Sequence, residues 1–238
     1  MQQDMLREAL ANVLAPRVCC GCGAEGAWLC EGCAGSVARE LNATCLGCQR
    51  IAPYAATCER CRPEMHLRGI AAIARYEDHV IQRVIHTMKY APAHDVAGAF
   101  APLITSFTGT LEFARMVERL GSDALVVPVP LHWYREAERG FNQSERITRM
   151  IAAYIPGATV AEVLVRRRAT PAQAMQKRDE RAKNVADAFT YAHPDAVRGH
   201  PVLLVDDVIT TGATMSACAD ILHTIGARTV WGFAIARG

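Results

Sequence analysis

The alternation of apolar and polar positions divides this chain at about residue 67. Beyond that point, buried-type runs alternate with amphipathic stretches. RGIAAIARYED (68–78) predicts a strand, and VIQRVIHTMKY (80–90) predicts a helix with Val80, Val84, Ile85 and Met88 on one face. DALVVPVPL (123–131) predicts a second strand, and FNQSERITRMIAAYI (141–155) a second amphipathic helix. PVLLVDDVI (201–209) reads as a buried strand, TMSACADILHTIGA (214–227) as a helix ending at Gly226, and TVWGFAIAR (229–237) as a closing strand. Strands alternating with helices specify an α/β domain on a mainly parallel sheet flanked by helices, here 68–238. The stretch 166–190 has no clean strand signal and reads equally as a mobile loop or short helix over an anion site and as a solvated charged helix. Before residue 68 the apolar rhythm gives way to cysteines, and 1–67 reads as a small separate module.

Composition narrows the class. An apolar content of 51% over 238 residues is ample for a real core. No run approaches the roughly 18 apolar residues needed to cross a bilayer, and MQQDMLREAL carries Asp4 and Glu8 where a signal peptide would be basic and then greasy. The expectation is a cytoplasmic protein with no membrane insertion. A formal charge of +2 does not argue for a nucleic-acid partner. Its distribution is more informative: 166–183 holds seven basic and two acidic residues, a segment that should seek anions.

Nine of the ten cysteines lie between Cys19 and Cys61, and eight of them form C-x2-C pairs: Cys19 and Cys22, Cys30 and Cys33, Cys45 and Cys48, Cys58 and Cys61. In a cytoplasmic chain this spacing points to metal rather than disulfides. Two thiolates three positions apart on a tight turn can face one ion, and Gly21, Gly23, Gly32 and Gly47 supply backbone freedom for such turns. Two structural Zn2+ sites with four cysteines each follow. Pairing of the C-x2-C units can be sequential or interleaved. The short spacers and the repeated order of the two halves favour the sequential scheme. A redox role and an iron–sulfur cluster are the competing readings. Cys20 has no partner in the scheme, and Cys218 reads as helix packing. The eight histidines show no H-x3-H or H-E-x2-H spacing, which leaves a zinc hydrolase without an open metal site. His86, beside Met88 and Lys89, reads as a packed or surface histidine more than as a base.

The stretch VLLVDDVITTGAT (202–214) carries the candidate chemistry. A parallel strand there would deliver its C-terminal end to a helix N-terminus of about +0.5 charge. Thr210, Thr211, Gly212, Ala213 and Thr214 could wrap a phosphate, with Gly212 permitting close backbone approach. Asp206 and Asp207 leave an extended strand on opposite faces, so they cannot both be core residues. Beside a phosphate they must address hydroxyls or a cation, and a sugar phosphate with Mg2+ offers both. A plain Asp cap would explain only one of them.

This stretch resembles the 5-phosphoribosyl-1-pyrophosphate signature of type I phosphoribosyltransferases. With RGFNQSE (139–145), IHTMKY (85–90) and the run Arg166, Arg168, Thr170, Gln173, Arg181, Asn184, Ala188, Phe189, the chain resembles the ComF family from Cys19 to Arg237. Members of that family place a cysteine-rich zinc module before such a domain. One departure is AMQ at 174–176, where many relatives carry a small residue, Gly and Leu. The resemblance implies that Asp206 and Asp207 hold the ribose hydroxyls and help place Mg2+, that 210–214 bind the 5-phosphate, and that Lys89 and Arg139 address the pyrophosphate. It implies a phosphoribosyltransferase, in which the acceptor is not legible, with a nucleobase, nucleotide, single-stranded DNA or competence-machinery protein as partners. The alternative is a non-catalytic module that senses the donor and binds single-stranded DNA or a protein.

Overall fold

Nine residues of almost unbroken apolar character, Pro201–Ile209, form the central strand of the computed structural model, which describes residues 16–40, 43–53, 56–90, 96–131, 140–166 and 189–238. In chain order the strands are β1 (Leu67–Arg75), β2 (Leu125–Pro128), β3 (Thr159–Val160), β4 (Leu164–Arg166), β5 (Phe189–Tyr191), β6 (Pro201–Ile209) and β7 (Thr229–Arg237). Five of them make one sheet in the order β1-β7-β6-β2-β3, with every pairing parallel, while β4 and β5 form a separate antiparallel ribbon. Val202, Leu203, Leu204 and Val205 are all fully buried, as a parallel strand covered on both faces requires.

The helices are α1 (Glu31–Ser36), α2 (His79–Tyr90), α3 (Ala101–Thr108), α4 (Leu111–Leu120), α5 (Gln143–Ala152) and α6 (Ala213–Thr224). They divide the core into two layers. Leu203, Val205, Phe233 and Ile235 face a cluster with Ile85 and Met88 of α2, Phe107 of α3, Phe113 of α4 and Ile147 of α5. Val202, Leu204 and Ile70 face the other way, onto Met215, Cys218 and Leu222 of α6. The alternation along β6 thus feeds both layers.

Several expectations need correction. The buried face of α2 is Ile81, Val84, Ile85 and Met88, whereas Val80 is only partly buried, one step round the helix. The region 96–120, whose pattern predicts nothing above, holds a 3-10 turn (Val96–Phe100), α3 and α4. Thr110 caps α4 by accepting from the Phe113 N–H at 3.2 Å. Arg166 and Phe189 are not loop but the paired ends of β4 and β5, and residues 167–188 lie outside the described residues. Among the described residues no helix is long and apolar enough to cross a membrane.

The cysteine-rich segment packs onto the sheet domain. Cys19, Leu29, Ala34 and Val37 share the core layer of α2. Asp78 joins the two: its Oδ1 accepts from Val80 N and Ile81 N at 2.9 and 3.1 Å, capping α2, and its Oδ2 accepts from Ala38 N at 2.8 Å.

Candidate functional site

The eight paired cysteines assemble into two clusters, Cys19, Cys22, Cys30, Cys33 and Cys45, Cys48, Cys58, Cys61, with sulfurs within 4.8 Å of one another in each. This is the sequential arrangement. The halves repeat in detail: Cys30 N donates to Cys19 Sγ at 3.3 Å and Cys58 N to Cys45 Sγ at 3.4 Å, while antiparallel bridges Val18 to Glu25 and Thr44 to Ile51 close equivalent turns. Sulfur separations of 3.8 Å (Cys22 to Cys30) and 3.5 Å (Cys48 to Cys58) suit four thiolates about 2.3 Å from a tetrahedral Zn2+. Burial raises the Cys19 and Cys45 thiols, but backbone N–H groups, led by Cys30 and Cys58 respectively, outweigh it and bring both down to about 6. Cys33, raised first by its hydrogen bond with Cys30, and Cys61, raised first by burial, stand at about 12. A divalent cation at the centre of each cluster would favour the thiolate form of these last two against the hydrogen bonding and burial that raise them.

Of the four glycines expected to free the turns, Gly23 alone has a positive φ, of 79°. At Gly21 and Gly47 the need is space: a β-carbon would lie 2.7 Å from Cys33 Cβ in the first case and 3.0 Å from Cys61 Sγ in the second. Gly32, in α1, meets neither requirement. Cys20 stays outside the first cluster and its thiol donates to Thr87 Oγ1 at 3.6 Å. Cys218 is fully buried against the sheet, and that burial pushes its thiol up.

Asp206 and Asp207 sit near the C-terminal end of β6, between β7 and β2. Chain connections depart in opposite directions there, β6 through α6 to β7 and β2 through α5 to β3, which opens a crevice at the strand ends. Asp207 Oδ2 pairs with Lys89 Nζ of α2 at 3.0 Å, and the Gln143 Nε2 of α5 donates to it at 3.5 Å. Asp206 Oδ1 accepts from Ser144 Oγ and from Asp207 N, both at 2.9 Å. Ser144 and Gln143 open α5, whose N-cap Asn142 accepts from Ser144 N at 3.1 Å and donates to Val129 O at 3.3 Å. The start of α5 is therefore fixed against β2 and aimed at the acid pair.

Gln143 Oε1 is buried and has no hydrogen-bond partner. An orphaned acceptor beside two carboxylates asks for a hydroxyl donor or a hydrated cation, so the residues present fit a sugar with Mg2+. Burial, followed by the neighbouring Asp207 carboxylate, raises the Asp206 carboxyl to about 7, against the smaller opposing pull of the Asp207 N–H, Ser144 and Lys89. Its folded value exceeds its unfolded one, so the carboxylate costs nothing below pH 4, and its cost builds to a maximum above pH 7. Asp206→Asn retains an acceptor for Ser144 and removes the charge. It is expected to raise the melting temperature at pH 8 and to leave it nearly unchanged at pH 4, as thermal melts at the two values would show.

Beyond β6, Thr210 and Thr211 are exposed, Gly212 is buried, and Ala213 and Thr214 are half-buried as α6 begins. Gly212, the N-cap, holds a left-handed conformation, φ 76° and ψ 3°, and the one side-chain bond to the helix start is the long one from Ala213 N to Thr211 Oγ1, at 3.5 Å, among the described residues. The turn is open to solvent on the Thr210 and Thr211 side. The structure thus brings together Asp206, Asp207, Lys89 and the 210–214 turn, while Arg139 lies outside the described residues. Gln143 and Ser144 both stand inside RGFNQSE, where Gln143 reads at most as a contact to the acceptor and neither is legible as a partner of the acid pair; two uncharged polar residues opening a helix read as capping until their partners are known.

Paired carboxylates and a hydroxyl-rich turn, at the end of a central parallel strand and the start of a helix, define a phosphoribosyl transferase type of domain. Residues 143–235 match the phosphoribosyl transferase domain family. The chain is 30% identical to DNA utilization protein YhgH of Escherichia coli over 211 residues, 87% of this chain and 89% of that protein. It is 25% identical to competence protein F of Haemophilus influenzae, covering 86% of this chain and 96% of the relative, and 25% identical to competence protein ComFC of Bacillus subtilis, covering 88% and 84%. The chain belongs to the ComF family, that of YhgH and competence protein F. A phosphoribosylpyrophosphate synthetase from Mycobacterium smegmatis overlaps 59% of this chain and 39% of its own at 17% identity, with a TM-score of 0.32, too loose a match to argue from.

Proposed function

We propose that this chain binds 5-phosphoribosyl-1-pyrophosphate with Mg2+ and transfers the phosphoribosyl group to an acceptor. The observation that carries the reading is the acid pair at the end of β6, with the exposed Thr210 and Thr211 turn directly after it. Asp206 and Asp207 accept hydrogen bonds from the ribose hydroxyls, and Gln143 Oε1 gains the partner it lacks. Amides at the start of α6 and the threonine hydroxyls receive the 5-phosphate. Lys89, drawn off Asp207, and Arg139 neutralise the pyrophosphate. The bond from the anomeric carbon to a pyrophosphate oxygen breaks as the acceptor's lone pair bonds to that carbon, and no covalent enzyme intermediate is required. Mg2+ supplies charge neutralisation for the departing pyrophosphate. Two cysteine clusters spaced for metal suit a cytoplasmic setting.

A second reading is favoured by a groove of about 930 Å³ beside α2. Cys20, His79, Arg83, His86, Lys89 and Tyr90 are among its lining residues, and no carboxylate is among those described. The His86 and Tyr90 rings lie 4.6 Å apart and exposed. Cations beside exposed rings suit a single-stranded nucleic acid, which would make the chain a donor-sensing, DNA-handling module in line with the names of its relatives, or a partner of competence-machinery proteins. Titration calorimetry with donor and Mg2+ is expected to saturate at one donor per chain, and absence of binding would contradict both readings. Pyrophosphate release with a panel of nucleobases separates them: turnover establishes the transferase, whereas salt-sensitive single-strand binding without turnover establishes the module.

A further inference from the structure

We propose that Leu46 is a positioning residue: the Cys45 to Cys48 knuckle holds it against Gly212, so that the metal-bound knuckle sets the shape of the turn that takes the 5-phosphate. The proposal rests on the donor-site reading above and adds a role for the cysteine module in it.

Leu46 is one residue from Cys45 and two from Cys48, both in the second cluster. Its side chain is buried and belongs to the core layer that contains Ile209 and Met215, residues on either side of the turn. A β-carbon placed on Gly212 would collide with Leu46 Cδ2 and stand 3.0 and 3.1 Å from Cγ and Cδ1. The glycine is therefore needed twice, for its left-handed backbone and for the space that Leu46 fills.

The knuckle is held in register with the turn from a second side. Arg237, at the end of β7, donates through Nη1 to Thr44 O at 3.4 Å and through Nη2 to Thr44 Oγ1 at 3.0 Å and Gln49 Oε1 at 3.4 Å. Gln49 Nε2 in turn donates to Leu46 O at 3.1 Å. The next residue, Gly238, donates its N–H to Ile209 O at 2.9 Å, the last residue of β6 before the turn. Leu46 thus meets the turn from the knuckle, Arg237 ties that knuckle to the end of β7, and Gly238 holds the last residue of β6, with Thr210 and Thr211 left exposed for a ligand. An ordinary core leucine would add stability alone. One that fixes an anion-binding backbone must also set the order of that backbone's amides.

The test compares the full chain with Leu46→Ala and the milder Leu46→Val, each loaded with Zn2+, by metal content, amide exchange over 209–215 and donor affinity. With all eight cysteines intact, both variants should keep two Zn2+ per chain. Leu46→Ala should speed exchange across the turn and weaken donor binding by about tenfold or more, with Leu46→Val between it and the parent. Leu46→Met, which refills the space, should restore most of the affinity. Unchanged exchange in the turn of a folded Leu46→Val or Leu46→Ala chain overturns the proposal. Failure of the parent to bind donor refutes the donor-site reading instead, and the exchange measurement still decides whether Leu46 holds the turn.

Discussion

Substituting Asn at both Asp206 and Asp207 is expected to eliminate detectable binding of the phosphoribosyl donor while the chain stays folded. Charge-assisted hydrogen bonds to two ribose hydroxyls are worth about 1.5–3 kcal/mol each, and the neutral pair also loses its attraction for Mg2+, so affinity should fall by about a thousandfold or more. The single variants should differ. Asp206→Asn leaves Lys89 paired with Asp207 and relieves a crowded carboxylate, so it should melt higher at pH 8 and bind poorly. Asp207→Asn strands the half-buried Lys89 ammonium beside a neutral amide, so it should lose both affinity and stability. Calorimetry returning the parent affinity for the double variant would refute the assignment of these acids.

Removal of metal should have the larger effect on the fold. Structural Zn2+ bound by cysteines contributes roughly 10–16 kcal/mol of apparent free energy, as much as or more than the whole stability of an ordinary domain. The first cluster sits directly on the core, since Cys19, Leu29, Ala34 and Val37 pack in the layer of α2, so its collapse would expose that layer as well. A strong chelator should therefore strip two Zn2+ per chain, lower Tm steeply and leave a chain prone to aggregation. Cys19→Ser and Cys45→Ser should each lose one ion and keep the other, because the clusters share no ligand. Loss of both ions from a single substitution in a chain that remains folded would contradict the independence of the two clusters. If Leu46 acts as proposed, Cys45→Ser should also weaken donor binding far more than a substitution of Cys22, at the exposed rim of the first cluster.

Where the chain's own chemistry is local, the sequence states the structure almost outright. Val202 to Val205 have to be a buried parallel strand, and the C-x2-C spacing of 19–61 has few solutions other than two metal knuckles. Weak or non-local signals are harder to see. Strands β3, β4 and β5 are two or three residues long, too short for a period to register, and they exist because β2 and each other offer hydrogen-bonding edges. α3, APLITSFT, buries Leu103, Ile104 and Phe107 on one face and exposes Thr105 and Ser106, but over eight residues that period is too short to stand out.

The same division runs through the site. Asp206, Asp207 and the 210–214 turn form one contiguous motif and are legible together. Ser144 and Gln143 become site residues only when α5 is laid beside β6, 62 and 64 positions away in the chain. Leu46 is further removed, since nothing in the pattern CLGC tells that its leucine will rest on a glycine in a distant turn. Lys89 was readable as a cation in a shared motif, but its pairing with Asp207 was not. Its ammonium, on α2, sits 3.0 Å from the Asp207 carboxylate on β6.

The most direct measurement is a crystal structure of the full chain with 5-phosphoribosyl-1-pyrophosphate and Mg2+. The ribose hydroxyls should lie within hydrogen-bond distance of Asp206 and Asp207, the 5-phosphate against the amides and hydroxyls of 210–214, and Lys89 Nζ should have left Asp207 for the pyrophosphate. A donor bound elsewhere, with the acid pair still closed on Lys89 and the turn after β6 empty, would contradict it.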